Sequence, residues 1–261
     1  MRQQADIVLA TGAHLKIVEA ASVTELRDIL KEIPGHATIF LDVDDTIIAP
    51  VSSSFRIHYT KTLMEEIKAN AGEYGDIQDI LCAWRLNRHI MLIGEDWPHL
   101  IDDLKASYPV YGLTRMNPGR AGSMESAEKW RESELRGLGI VFTQNKNAEA
   151  IKSDVGYEVH PVFYGGLLFT GSASKGDTID CFNRVLAVKF VVMVDDRMDH
   201  LQSIEEFCKN EGIGFLGVCF KGAETLPGTY DHKLAAFQKD YLVKNHKWLE
   251  DDTARAMMKM V

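Results

Sequence analysis

The sequence predicts an α/β protein: a three-layer core built on a parallel sheet, with a small helical cap inserted after the first strand motif. Two observations carry that reading. Short apolar runs, such as Ala37-Thr38-Ile39-Phe40-Leu41 and "KFVVMVDD" at 189–196, alternate along the chain with amphipathic helical stretches, the order of βαβ units. Residues 50–94 break that alternation with helical spacing of their own, so the core is expected at 1–49 and 95–261 and the insert at 50–94.

Taken in order, Leu15 to Val18 reads as a strand. Ser22-Val23-Thr24-Glu25 is a capping box, and Val23, Leu26, Leu30 and Ile33 follow at helical spacing until Pro34-Gly35 stops the helix. The strand ending at Leu41 runs into three aspartates, Asp42, Asp44 and Asp45. In the insert, Leu63 and Ile67 mark one helix, and Ile77, Ile80, Leu81 and Trp84 mark another at i, i+3, i+4 and i+7. Residues 96–107 form a helix that leads into the apolar run ending at Thr114. A strongly charged helix over 124–138 is followed by a strand, "GIVFT". "VFYGGLLFTG" at 162–171 is β-rich and a hairpin candidate, and "SKGDTIDCFNRVL" opens a further helix. After the emphatic strand at 190–194 come the amphipathic helix "MDHLQSIEEFCKNEG", the strand "IGFLGVCF" and a helical tail.

Composition narrows the function classes. With 46% hydrophobic and 26% charged residues the chain is of ordinary globular type. A net charge of −9 argues against general nucleic-acid binding, which needs phosphate neutralisation. Cys82, Cys181, Cys208 and Cys219 are far apart without a C-x-x-C pair, so reduced, mostly buried thiols are expected rather than a zinc site or a disulfide framework. The nine histidines show no metal-ligand spacing, and none is assigned to a site. "MRQQADIVLATGAH" has no apolar stretch of signal-peptide length, and no run approaches the roughly 18 apolar residues of a membrane span. A protein in the cytoplasm is expected on this ground. The end, "ARAMMKMV", stops in mid-pattern and leaves a continuation past Val261 open; membrane contact is expected only through such an extension.

Several apolar runs or loops end in polar residues of chosen type: Asp42, Asp44 and Thr46; Thr114; Lys175; and Asp195, Asp196 and Asp199. Open parallel sheets bind ligands outside the carboxyl ends of their strands, so these groups can converge from distant parts of the chain. Carboxylates, a lysine and hydroxyls together suit a hard cation holding a phosphate. Mg²⁺ prefers oxygen ligands and bridges carboxylates to phosphate oxygens. Such an ion also makes crowded aspartates tolerable in the ionised form.

On these residues the chain resembles the haloacid dehalogenase superfamily. "FLDVDDTI" is similar to its D-x-D-x-T first motif, Thr114 in "YGLTR" to its second, Lys175 to its third and "VVMVDDRMD" to its acidic fourth, in the family's order. The resemblance implies that Asp42 is the nucleophile and that Asp44 is the general acid and base, oriented by Thr46. It implies that Thr114 donates to a phosphoryl oxygen and that Lys175 offsets negative charge. Mg²⁺ would be held by Asp42, the Asp44 carbonyl and Asp195, with Asp196 or Asp199 acting through water or by holding Lys175. The second aspartate of the motif favours phosphatase over dehalogenase or cation pump. The opening strand and helix, "GGLLFTG…KG", the "DDRMDHLQSIEEF" helix and the tail around "FQKDYL" further resemble a little-characterised branch of the superfamily, a domain of unknown function in bacteria that live inside eukaryotic cells. The expected activity is hydrolysis of a phosphorylated protein or small molecule, with phosphotyrosine proteins of a host as one substrate class. Small metabolites such as nucleotides, or a non-catalytic binding role on the same fold, are the alternatives.

Other readings are weighed beside these. Lys189, just before the strand 190–194, is an alternative to Lys175; Asp199 is equally a helix cap; Asp45 reads as a turn former. Arg85, Arg88 and His89 read as a solvated helix face, or as an anion-binding cluster if the insert sets substrate choice. "GIGFLG" at 212–217 fits a dinucleotide fingerprint but runs from helix into strand, the reverse of the required order.

Overall fold

Runs rich in β-branched and aromatic residues, too short for helices, become the strands of one large sheet. The computed structural model describes residues 7–8, 14–56, 65–67, 69, 75–144, 151–153 and 156–260. Its strands are β1 (Ile7–Val8), β2 (His14–Ala20), β3 (Thr38–Leu41), β4 (Ile48–Pro50), β5 (Ile90–Leu92), β6 (Val110–Thr114), β7 (Ile151–Lys152), β8 (Val162–Tyr164), β9 (Leu167–Phe169), β10 (Phe190–Asp195) and β11 (Gly214–Phe220). All but β4 and β5 join one sheet in the order β1-β2-β11-β10-β3-β6-β9-β8-β7. From β2 to β9 every pairing is parallel, while β1 at one edge and β8 and β7 at the other are antiparallel. The helices are α1 (Val23–Leu30), α2 (Ile77–Asn87), α3 (Trp97–Lys105), α4 (Ala127–Gly137), α5 (Lys175–Leu186), α6 (Met198–Glu211), α7 (His232–Asn245) and α8 (Asp251–Met258). This is the expected Rossmann-like three-layer α/β fold.

β3 is buried along its whole length, as is β10 from Val191 onward, which explains why both read as continuous apolar runs rather than alternating ones. Phe40, Leu113, Phe163, Ile179, Phe182 and Met193 belong to the core packed around them. The cap at Ser22 forms, with its reciprocal bond moved one residue back, to Ala21. The Ser22 hydroxyl accepts from the Glu25 amide at 3.2 Å, while the Glu25 carboxylate takes the Ala21 amide at 2.8 Å. The hairpin β8–β9 turns on Gly165 and Gly166 at φ of 58° and 80°, a conformation that costs glycine nothing. The four cysteines are free thiols; Cys82, Cys208 and Cys219 are buried and Cys181 half-buried.

One expected strand is absent. "GIVFT" at 139–143 forms no strand, because β9 takes the edge of β6 from Gly112 to Thr114 and leaves only its first residue open. Thr143 instead closes on the first residue of β6, donating its amide to the Val110 carbonyl at 2.8 Å and accepting the Val110 amide on its hydroxyl at 2.9 Å.

The chain divides into two compact units. The first comprises 1–47, 92–118 and 127–225, and the second 48–91, 119–126 and 226–261. The second is therefore larger than an insert over 50–94: it includes the helical tail expected in the core. It also holds the paired strands β4 and β5, which helical spacing alone did not suggest. Its apolar centre is Phe55, Ile67, Ile80, Trp84, Leu242, Val243 and Trp248, with the Phe55 ring stacked on Trp84 at 4.6 Å and edge-on to Trp248 at 4.9 Å. The tail joins it because α7 brings Leu242 and Val243 to that aromatic cluster. Leu63 lies outside the described residues.

Gly176, in the first turn of α5, packs against the backbone of α6. A Cβ there would lie 2.1 Å from the Ser203 carbonyl oxygen. Gly176→Ala is expected to cost about 1–3 kcal/mol of stability, read as a lower Tm in thermal unfolding. An unchanged Tm would contradict the close approach of α5 to α6.

Candidate active site

β10, β3, β6 and β9 are adjacent and parallel, so their carboxyl ends share one edge of the sheet. Asp42 follows β3 there, its amide continuing the ladder to the Val194 carbonyl at 2.9 Å. Asp195 is the last residue of β10, and Thr114 the last of β6. Lys175 opens α5 after β9, and its helix start is fixed by a capping box between Ser174 and Asp177. The side chains of Asp42, Lys175 and Asp195 meet. The Lys175 ammonium, fully buried, donates to Asp42 Oδ1 at 2.5 Å and to Asp195 Oδ2 at 2.6 Å. The alternative, Lys189, is exposed and precedes β10, at the opposite end of that strand.

Both carboxylates make further hydrogen bonds. The Thr46 hydroxyl donates to Asp42 Oδ2 at 3.3 Å. Asp195 Oδ1 accepts the Arg197 amide at 2.9 Å and lies 3.0 Å from His200 Nδ1. Thr114 is buried beside β3, and its carbonyl accepts the Thr170 amide at 3.1 Å.

Burial sets the electrostatics. It pushes Asp42 up to about 6, against the pull of Lys175, with Asp195 adding repulsion. Asp196 rises further, to about 9, through burial and the charges of Asp42 and Asp195. Burial alone would raise Asp195 too, but Lys175 and His200 outweigh it and hold it below the usual carboxylate range. Lys175 is the mirror image: burial would lower it, yet the two carboxylates keep it raised. One ammonium thus lies among three buried acids, which leaves the cluster short of positive charge.

That deficit is what a cation would fill. One carboxylate oxygen each from Asp42, Asp195 and Asp196 lies within 4.8 Å of the others, all buried. An all-oxygen donor set of this kind fits a hard divalent ion. The geometry does not bring Asp199 into the cluster: its carboxylate is exposed and held by the Arg197 guanidinium at 2.6 and 3.0 Å. Nor does Asp44 join it through its carboxylate, which is taken by Arg131 at 2.8 and 3.1 Å. Thr46 correspondingly orients Asp42 with its hydroxyl, not Asp44. Lys175 is held by Asp42 and Asp195 rather than by Asp196 or Asp199. Asp45, at φ 62°, forms the turn. In the second unit Arg88 is buried with its guanidinium 4.4 Å over the Trp84 ring, Arg85 is half-buried, and only His89 of that trio is exposed.

Two site residues escaped the sequence reading. His200 lies five positions after Asp195, in the first turn of α6, a local spacing that could have suggested it. Arg131 sits in a helix read as strongly charged; its signal was the spacing Ala127, Arg131, Leu135 at intervals of four, a stripe that the fold buries.

The raised Asp196 yields a pH test. In the fold it keeps, up to about pH 9, a proton that the unfolded chain releases near the ordinary 3.8. The unfolded state then binds fewer protons, so this contribution to stability is full below that value and is lost as pH rises toward 9. In chelator, Asp196→Asn is expected to raise Tm by several degrees at pH 8 and to change it little near pH 4. A Tm difference that does not vary with pH would reject the assignment.

Comparison with known proteins agrees with the expected domain of unknown function in bacteria that live inside eukaryotic cells. An uncharacterized protein of Rickettsia prowazekii (strain Madrid E) is 28% identical over 97% of this chain and 94% of its own length. Two putative outer membrane proteins of Chlamydia pneumoniae are 26% and 30% identical, but over only 38% and 36% of this chain and 37% and 36% of their own lengths. Among the described residues no helix is long and apolar enough to cross a membrane. No solved structure matches significantly. The family described as protein of unknown function (DUF2608) matches residues 19–255, and the chain belongs to that family.

Proposed function

We propose that this protein is a Mg²⁺-dependent phosphatase of the haloacid dehalogenase type, hydrolysing phosphomonoesters through Asp42. The observation that carries the proposal is the buried Lys175 ammonium shared by Asp42 and Asp195, with Asp196 beside them at the carboxyl edge of a parallel sheet. A cluster of one cation and three acids is costly as a stability device, since desolvation offsets most of the attraction. It suits a site that must receive a phosphoryl group and a metal ion together.

In this reading Asp42, Asp195 and Asp196 hold the metal, which would supply positive charge to the phosphoryl oxygens. Asp42 attacks phosphorus, its carboxylate kept in one orientation by Thr46 and Lys175. Asp44 gives a proton to the departing oxygen and then takes one from the water that cleaves the aspartyl-phosphate. Thr114 and Lys175 meet the phosphoryl oxygens, so catalysis rests on positioning and charge. The presence of Asp42, Asp44, Thr46, Thr114, Lys175 and Asp195 together favours an enzyme over a degenerate binding module. The relatives in Rickettsia and Chlamydia support a setting in bacteria that live inside host cells. An effector delivered into the host and acting on its phosphotyrosine proteins is the substrate setting proposed for that environment.

Hydrolysis of p-nitrophenyl phosphate tests the chemistry. Turnover is expected with Mg²⁺, with loss in EDTA and a fall of at least about 10³-fold in Asp42→Asn. Activity that survives both changes would remove Asp42 and the metal from the reaction. A substrate panel tests the class: a phosphotyrosine peptide is expected to exceed sugar phosphates and nucleotides in kcat/KM, and the opposite ranking points to a small metabolite.

A further inference from the structure

Arg131 is an odd residue to find where it is. Its side chain is 1% exposed, in the buried stripe of a charged helix, while that of its partner Asp44 is 43% exposed. Nη2 faces both Asp44 oxygens, at 2.8 and 3.1 Å, and Nη1 is held by Glu134 one turn on at 2.6 Å. The guanidinium fork is therefore divided between two acids. Glu134 sets its orientation and Asp44 receives the other arm. Burial would lower the Arg131 pKa, yet the carboxylates of Asp44 and Glu134, and Asp42 beyond them, hold it above its ordinary value, so it stays charged. Desolvation opposes burying such a charge; Glu134 offsets part of that cost, while Asp44, half-exposed and screened by solvent, returns little. Stability alone does not account for the arm that reaches Asp44.

Geometry does. Asp44 lies two residues after Asp42, on the turn that leaves β3, with Asp45 at φ 62° beside it. An acid that must hand a proton to a leaving oxygen needs hydrogen-bond reach of it, and a displacement of about 1 Å costs on the order of 10²-fold. An exposed aspartate on a turn has several rotamers; a buried guanidinium on a packed helix has one. Nη2 bonds both Asp44 oxygens and so fixes the plane of the carboxylate.

We propose that Arg131, oriented by Glu134, is the positioning residue for Asp44, holding it where it exchanges the proton with the leaving group. This rests on the phosphatase reading above. It is tested with two substrates that differ in their need for that proton: p-nitrophenyl phosphate, whose phenolate leaves unaided, and glycerol phosphate, whose alkoxide does not. Arg131→Met is expected to lower kcat on glycerol phosphate by about 10²-fold and on p-nitrophenyl phosphate by less than about tenfold, with KM unchanged for both. Asp44→Asn should show the same split, and adding Arg131→Met to it should cost nothing further. Arg131→Lys keeps the charge but not the divided fork, and should fall between. Should Arg131→Met fail to fold, the split in Arg131→Lys decides. Equal losses on the two substrates, or losses that multiply with those of Asp44→Asn, overturn the role of Arg131. A folded parent protein that hydrolyses neither ester with Mg²⁺ present overturns the phosphatase reading itself, and this role with it.

Discussion

The ammonium of Lys175 reaches a dry point between two carboxylates, 2.5 Å from Asp42 and 2.6 Å from Asp195, and much of the surrounding structure exists to keep it there. A buried lysine left unpaired would lose its proton, and a pair of facing buried aspartates left uncompensated would take one up. Each stabilises the charge of the other. The requirement reaches outward: β3 and β10 must be neighbours, α5 must begin at residue 175, and that start must be held. The capping box of Ser174 and Asp177 fixes the first turn, and the bare backbone of Gly176 lets it seat on α6. His200 and the Arg197 amide then complete the coordination of Asp195 from the start of α6.

The first motif separates its two aspartates by giving them different partners. Asp42 is buried, bonded to Lys175 and Thr46, and pushed up to about 6 by its surroundings. Asp44 is half-exposed and bonded to a guanidinium from α4. Residues two apart in an extended strand share a face; past the end of β3, where Asp45 turns at φ 62°, one short segment serves two environments. Environments that differ this much are how chemically identical side chains acquire different roles.

The second unit shows another use of buried polar groups. Ser52, Ser54 and Gln238 are buried in a network with Asp251: Ser52 donates to Asp251 Oδ1 at 2.5 Å, Ser54 to Gln238 Oε1 at 2.5 Å, and Gln238 donates to the Leu249 carbonyl at 2.8 Å. Every member has a partner, the condition under which such a network specifies a structure rather than weakening it. It ties the segment after β4 to the tail nearly two hundred residues later. In the fold the three consecutive serines anchor the C-terminal helices.

The sequence by itself determined the alternation of strands and helices, the parallel sheet, and the type and order of Asp42, Thr114, Lys175 and Asp195. These are legible because they are local: periodicity, capping residues and strand ends are properties of a few neighbouring positions. Only the tertiary structure decided what crosses between distant segments. It made 139–143 a closing loop instead of a strand because β9 already occupied the edge of β6. It assigned the tail to the unit of Phe55 and Trp84, turned Asp199 toward Arg197, and brought Arg131 and His200 to the site. A charged residue in a charged helix has no signature of burial along the chain, because what buries it is a surface supplied by other elements. Pairing across such distances is settled by packing, and packing is written in no single stretch of sequence.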